Sequence, residues 1–307
     1  MTKVFIDGSA GTTGLRIADR LADRRDITVV TLPDSLRKDP NARRDAICGA
    51  QIAFLCLPDD AAREAVALAG ESDVKIIDTS TAHRTADDWA YGFPELTGCR
   101  ERVRSSKRIS NPGCHASGFV ALIRPLAENG ILSADAQLTC FSLTGYSGGG
   151  KKMIAEYESE DRNVLLGAPR QYGIAQQHKH LKEMQAITGI DVAPVFCPIV
   201  ADFYSGMTVT VPLFKSQLAC GVDEIKKIYA DKYRGEIVEY VEQIDDGGFV
   251  SGLKVGKKDG MKISVSGNAE RILLIAAYDN LGKGASGAAV ECMNIALGVD
   301  KTTGLEL

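Results

Sequence analysis

The sequence predicts an α/β protein of two parts: a parallel-sheet unit, then an α+β unit with a mostly antiparallel sheet. Three observations carry this. Over the first third, short apolar runs (Lys3 to Asp7, Ile27 to Leu32, Gln51 to Leu57, Val74 to Asp78) alternate with stretches of helical apolar spacing, the pattern of βαβ units. The first run ends in glycine-rich punctuation, Gly8-Ser9-Ala10-Gly11-Thr12-Thr13-Gly14. After about residue 130 strand-like runs dominate, at Ala136 to Leu143, Met207 to Pro212, Met261 to Ser266 and Arg271 to Tyr278. The expected units are residues 1–113, with a closing segment of about 284–307 packing back on it, and residues 114–283.

Each element has a local reason. From Thr13 to Arg24, Leu15, Ile17, Ala18, Leu21 and Ala22 recur at helical spacing. The run Ile27 to Leu32 is β-branched, as strands favour. Pro58 ends the third strand, and Asp59 or Asp60 is placed to cap the helix through Leu68. The last apolar helix spans roughly Ala285 to Leu297, after Gly282 and Gly284.

The composition narrows the class. With 307 residues, 45% hydrophobic and 25% charged, the chain can bury a substantial core. A net charge of −4 argues against nucleic-acid or membrane partners held by bulk electrostatics. No apolar run reaches the ~18 residues of a spanning helix, and the first residues do not read as a secretory leader, so a cytoplasmic protein is expected. The eight cysteines (48, 56, 99, 114, 140, 197, 220 and 292) include no C-x-x-C pair, which argues against zinc; no metal and no disulfide framework is expected. Cys56, Cys140 and Cys292 lie in apolar runs and read as buried thiols.

The glycine segment has the G-x-x-G-x-x-G spacing of a Rossmann-type turn, with a strand before it and a helix after. Gly8, Ser9, Gly11, Thr12, Thr13 and Gly14 would let a pyrophosphate approach the backbone and the helix N-terminus. The competing reading is a ligand-free turn. After the second strand, Ser35, Arg37 and Lys38 could receive a 2′-phosphate, favouring NADP(H); Asp34 leaves NAD open, and a solvated loop explains the charges equally well.

The turn Asn111-Pro112-Gly113 precedes an apolar helical run with Phe119, Val120, Leu122 and Ile123, which places Cys114 at a helix start. That position favours thiolate and suits a nucleophile that forms an acyl intermediate, against the bland reading of an inert thiol. The chain has four histidines, and His178 and His180 lie in the segment His178-Lys179-His180-Leu181-Lys182-Glu183. On a helix, Glu183 shares a face with His180 and could orient an imidazole. A metal set or a solvated helix start are the other readings. Gly145 to Lys151 fits G-x-x-x-x-G-K, but Lys152 stands where a Walker loop needs Ser or Thr, so only a local anion site is expected there.

Taken in order, Asp78-Thr79-Ser80-Thr81-Ala82-His83-Arg84, Asn111-Pro112-Gly113-Cys114, Thr144-Gly145-Tyr146-Ser147-Gly148 and the H-x-H-x-x-E segment resemble the short-form N-acetyl-γ-glutamyl-phosphate reductases. That family belongs with the aspartate-semialdehyde dehydrogenases, and the resemblance runs from Gly8 to Asp279-Asn280-Leu281-Gly282-Lys283-Gly284. It implies an NADPH-dependent reduction in which Cys114 displaces phosphate from an acyl phosphate and the resulting thioester accepts hydride. The family's acid/base histidine maps onto His178 or His180, with Glu183 as its orienter. The resemblance adds Pro58, Ser80 and Asn280 to the cofactor side, and Arg84, Asn111, Ser147, Gly148 and Lys151 to the substrate side. It also implies a small-molecule substrate, a homo-oligomer (dimer or tetramer) built through the second unit, and no nucleic-acid or membrane partner. One departure is Tyr204-Ser205-Gly206-Met207, where longer members tend to carry a basic residue. The alternatives are an aspartate-semialdehyde dehydrogenase-like enzyme or a non-catalytic NADP-sensing regulator; an intact Cys114 and histidine pair argue against the second.

Overall fold

The computed structural model describes residues 1–307, which divide into two compact units: Met1–Pro112 with Ala285–Leu305, and Gly113–Gly284 with Glu306–Leu307. The first unit holds β1 (Thr2–Asp7), α1 (Thr12–Ala22), β2 (Ile27–Val30), α2 (Pro40–Cys48), β3 (Ile52–Leu55), α3 (Asp59–Ala69), β4 (Lys75–Asp78), β5 (Ala90–Tyr91), α4 (Cys99–Ser105) and β6 (Arg108–Ser110). The strands form one sheet in the order β2-β1-β3-β4-β6-β5, with every pairing parallel. Because successive side chains point to opposite faces, β1 sends Val4 and Ile6 into one core and Phe5 into the other. The first core is closed by Val290, Cys292 and Met293 of the carboxy-terminal helix Gly287–Leu297. A parallel sheet must be covered on both faces, and this nearly all-round apolar helix serves one of them.

The strands are shorter than the apolar runs that announce them. β2 stops at Val30 and β3 at Leu55, before Pro33 and Pro58, neither of which has an N–H to continue a ladder. Pro58 itself is the residue before α3, with no side-chain cap; Asp59 instead accepts hydrogen bonds from the Thr81 N–H and hydroxyl. The short β5 and β6, and the polar helices α2 and α4, lack a periodic apolar signal.

In the second unit, α5 (Cys114–Glu128), β7 (Thr139–Gly145), α6 (Gly150–Glu158), β8 (Arg170–Gln171), α7 (His180–Thr188), β9 (Val195–Ala201), β10 (Met207–Phe214), α8 (Val222–Lys232), β11 (Val238–Tyr240), β12 (Met261–Gly267) and β13 (Arg271–Tyr278) follow. Their sheet order is β11-β12-β13-β10-β7-β9-β8. Only the β11–β12 and β7–β9 pairings are parallel; the rest are antiparallel. Pro198 interrupts the apolar run of β9, which hides that strand from a pattern reading. Along β10 Met207, Val209, Val211 and Leu213 are buried, while the opposite face carries Phe214; cross-strand register puts Phe141, Val195 and Leu273 on that same face, all four exposed. A π-type turn, Gly282–Ser286, precedes the carboxy-terminal helix, α9. No helix is long and apolar enough to cross a membrane.

Candidate active site

In the first unit, the turn between β1 and α1 is built for close backbone approach. Gly8 has φ +85°, and a Cβ there would lie 2.2 Å from the Cys56 carbonyl oxygen. A Cβ on Gly14 would lie 2.5 Å from the Gly8 oxygen, so both positions exclude a side chain. Gly11 precedes α1 without a side-chain cap, which leaves the first N–H groups of the helix available to an anion. The residues present therefore fit a dinucleotide pyrophosphate. Beneath the turn, the buried Arg43 pairs with Asp7 at 3.0 Å and with Glu64 at 2.8 Å. Burial nevertheless pushes the Asp7 carboxyl up, Arg43 opposing it.

Ser35, Arg37 and Lys38 are exposed beyond β2, and Arg37 pairs with Asp34 at 2.9 Å. Asp34 is thereby engaged inside its own loop. Pro58 is exposed at the start of α3. Ser80 donates to the Asp78 carboxylate at 2.7 Å, and the same oxygen meets His83 Nδ1 at 2.7 Å. Arg84 is buried: its Nε donates to the Asn111 carbonyl at 2.9 Å and an Nη to the Thr79 carbonyl at 3.0 Å. Asn111 donates from Nδ2 to the Ala285 carbonyl at 3.0 Å, while its buried Oδ1 has no hydrogen-bond partner.

In the second unit, α5 begins at Cys114 because the extended Gly113 (φ −76°, ψ 145°) ends the Asn-Pro-Gly turn. No side chain caps this helix; instead the Gly113 N–H donates to the buried Glu183 carboxylate of α7 at 2.8 Å. Tyr278 of β13 enters the first turn. Its hydroxyl accepts from the Gly118 N–H at 2.9 Å and donates to the Cys114 carbonyl at 2.5 Å, bridging two groups that an uninterrupted helix would pair directly. A Cβ on Gly284, in the π-type turn, would lie 3.0 Å from the Cys114 Cβ. Half-buried Cys114 is thus flanked by backbone rather than by a side chain at that point.

Three of the four histidines pack together next to this helix start. Ring centroids lie 4.8 Å apart for His178 and His180, 5.4 Å for His115 and His180, and 5.8 Å for His115 and His178. Phe196 and Tyr172 close the cluster. His178 lies outside α7, and its Nδ1 accepts from the His180 N–H at 3.3 Å. His180 and Glu183 are both buried on the helix itself. Burial, and secondarily the charge of Lys179, pushes the His178 imidazolium down from its ordinary range. Burial pushes His115 much further, to about 3, with His178 adding to the effect. His115 and Tyr172, which join the histidine cluster, and Tyr278, which holds the Cys114 carbonyl, carry no shared motif, so the sequence did not mark them.

The remaining expected residues sit around the loop after β7. Ser147 is buried and accepts from Asn280 Nδ2 at 3.0 Å, while Asn280 Oδ1 accepts from the Gly206 N–H at 2.9 Å. Gly148 and Lys151 are exposed. Asn280, expected on the cofactor side, has both ends of its amide engaged in bracing loops of the second unit. No group of three or more acidic, histidine or cysteine side chains is arranged to hold a metal ion. All eight cysteines are free thiols; Cys140 and Cys292 are buried, whereas Cys56 is only half-buried, its thiol pushed up to about 12 by desolvation.

Known protein families match two stretches of the chain. Residues 33–106 match the family "Semialdehyde dehydrogenase, NAD binding domain", and residues 114–280 match "Semialdehyde dehydrogenase, dimerisation domain". The N-acetyl-gamma-glutamyl-phosphate reductase of Brucella suis is 45% identical, covering 96% of this chain and 99% of its own. That of Brucella ovis is 44% identical over the same shares. Among solved structures, aspartate semialdehyde dehydrogenase II of Vibrio cholerae, complexed with ASA, superposes with a TM-score of 0.74 at 16% identity, covering 97% of this chain and 98% of its own. The Francisella tularensis aspartate semialdehyde dehydrogenase gives 0.71 at 14% identity, over 96% and 99%. At such identities the structures establish a shared α/β fold, and the closer sequence relatives decide among enzymes that use it: the chain belongs to the N-acetyl-gamma-glutamyl-phosphate reductase family of the semialdehyde dehydrogenases.

Proposed function

We propose that the protein reduces N-acetyl-γ-glutamyl phosphate to N-acetyl-glutamate 5-semialdehyde and phosphate, with NADPH as the reductant, in arginine biosynthesis. The observation that carries the chemistry is Cys114 at an uncapped helix start, its preceding N–H held by Glu183 and three histidines packed alongside. The helix N-terminus favours the thiolate, which attacks the acyl carbon. The C–O bond to phosphate breaks and a thioester forms. A bound dinucleotide would supply a hydride to the thioester carbon, leaving the oxyanion of a thiohemiacetal on Cys114. His178 or His180 protonates its oxygen, and the same base removes that proton as the C–S bond breaks and releases the aldehyde.

Gly8, Ser9, Gly11, Thr12, Thr13 and Gly14 hold the pyrophosphate in this reading, with Pro58, Ser80 and Asn280 on the cofactor side. Preference for NADPH is supported by exposed Ser35, Arg37 and Lys38, and by the Arg37 pairing that occupies Asp34. Arg84, Asn111, Ser147, Gly148 and Lys151 are assigned to the substrate; the buried, unpartnered Asn111 Oδ1 is an acceptor suited to an amide N–H. The exposed apolar face with Phe141, Val195, Phe214 and Leu273 supports a homo-oligomer through the second unit. Eight free thiols suit the reducing cytoplasm.

The test is phosphate-dependent oxidation of N-acetyl-glutamate semialdehyde against aspartate semialdehyde, with NADP and then NAD. Turnover of the acetylated substrate with NADP is expected. Turnover of the aspartyl substrate alone would overturn the assignment.

A further inference from the structure

His115, the residue after Cys114, joins a hydrogen-bonded chain that has no part in the proposed reaction. His115 Nδ1 lies 2.6 Å from the Ser142 hydroxyl of β7, and His115 Nε2 lies 2.8 Å from the Tyr172 hydroxyl. Ser142 and His115 are buried, and Tyr172 is half-buried with its ring edge-on to His178, the centroids 5.9 Å apart.

The protons of this chain can be counted. A neutral imidazole carries one N–H and each hydroxyl carries one O–H, so three protons serve two hydrogen bonds and one points out at an end. Ser142 Oγ makes no hydrogen bond other than that with His115. Were His115 to donate from Nδ1, the Ser142 proton would be stranded in the interior without an acceptor, the costly arrangement for a buried polar group. With Ser142 donating to Nδ1, His115 donates from Nε2 to the Tyr172 oxygen, and the spare proton emerges at Tyr172. Burial, with neighbouring Cys114 adding to the effect, keeps that tyrosine protonated. His115 stays neutral, so the chain cannot relax by taking up a proton.

We propose that Ser142 and His115 are positioning residues that fix the Tyr172 hydroxyl as an outward hydrogen-bond donor, and that this donor stabilises the oxyanion formed on the Cys114-bound acyl group. This rests on the thioester reading given above. Tyr172 would then be a catalytic residue, and the His115 tautomer would set its polarity.

Two measurements on the full-length protein test this. Ring 15N shifts of His115, assigned with His115→Gln, are expected to show a pyridine-type Nδ1 and a pyrrole-type Nε2; the reverse pattern overturns the polarity. Tyr172→Phe is expected to lower kcat about 10²-fold with the KM for NADPH unchanged, the size seen when one oxyanion donor is removed. Ser142→Ala should lower kcat less, with Ser142→Thr restoring it. A Tyr172→Phe kcat within twofold of the parent overturns the donor role. Cys114→Ser separates the two ideas. Retained turnover there defeats the thioester reading, whereas the nitrogen shifts, read without substrate, still report on the chain.

Discussion

The Glu183 carboxylate accepts a hydrogen bond from the Gly113 N–H at 2.8 Å, so α7 grips the residue immediately before the proposed nucleophile. The contact takes the place of the missing side-chain cap on α5 and ties the histidine-bearing helix to the start of the cysteine-bearing one. Glu183→Ala is expected to destabilise the protein by about 1–3 kcal/mol, by orphaning a buried donor. Glu183→Gln, whose amide oxygen can still accept, should recover most of that loss in urea unfolding. Equal losses for both variants would show that the charge, not the acceptor, is needed.

The Tyr278 hydroxyl fits into the first turn of α5 only because residue 118 is glycine. A Cβ there would lie 2.7 Å from that hydroxyl and 2.7 Å from a Val209 methyl. Gly118→Ala should cost about 1–3 kcal/mol through overpacking and lower Tm by several degrees. Its kcat should fall as well, because the displaced hydroxyl also holds the Cys114 carbonyl.

Gly8→Ala is expected to be worse than an ordinary helix or loop substitution, because φ +85° and the Cys56 carbonyl both oppose a side chain. A raised KM for NADPH with a lowered Tm is the expected pair of effects. Unchanged cofactor affinity would remove the turn from the cofactor side.

Stability should fall as pH drops below about 6.5. Burial lowers His115 from 6.5 to about 3, so the unfolded chain binds a proton that the folded chain refuses, and stability rises with pH between those values. His178, shifted the same way, adds to the slope. Urea midpoints measured from pH 7.5 to pH 4 should decline through this window, and His115→Gln should flatten part of the decline. An unaltered slope in that variant would place the proton elsewhere.

The 2′-phosphate reading can be tested in the loop after β2. Arg37→Ala with Lys38→Ala should raise the KM for NADPH about tenfold or more and leave that for NADH nearly unchanged, since only the phosphate loses charge-assisted hydrogen bonds. A parallel rise for both cofactors would point to a general loop effect.

Much of this protein is local chemistry, and the sequence by itself determined that part. Short apolar runs announced β1, β3, β10 and β13, period-3.6 spacing announced α1, and Asn-Pro-Gly placed Cys114 at a helix start, because turn residues and apolar spacing act over a few neighbours. The tertiary structure alone decided what surrounds that thiol. His115 is joined to Ser142 and Tyr172 across separations of 27 and 57 residues, and Tyr278 reaches Cys114 across 164. Such contacts carry no periodic signal; they exist because the sheet register and the packing of α5 bring distant hydroxyls to one buried place, where leaving a polar group without a partner is costly.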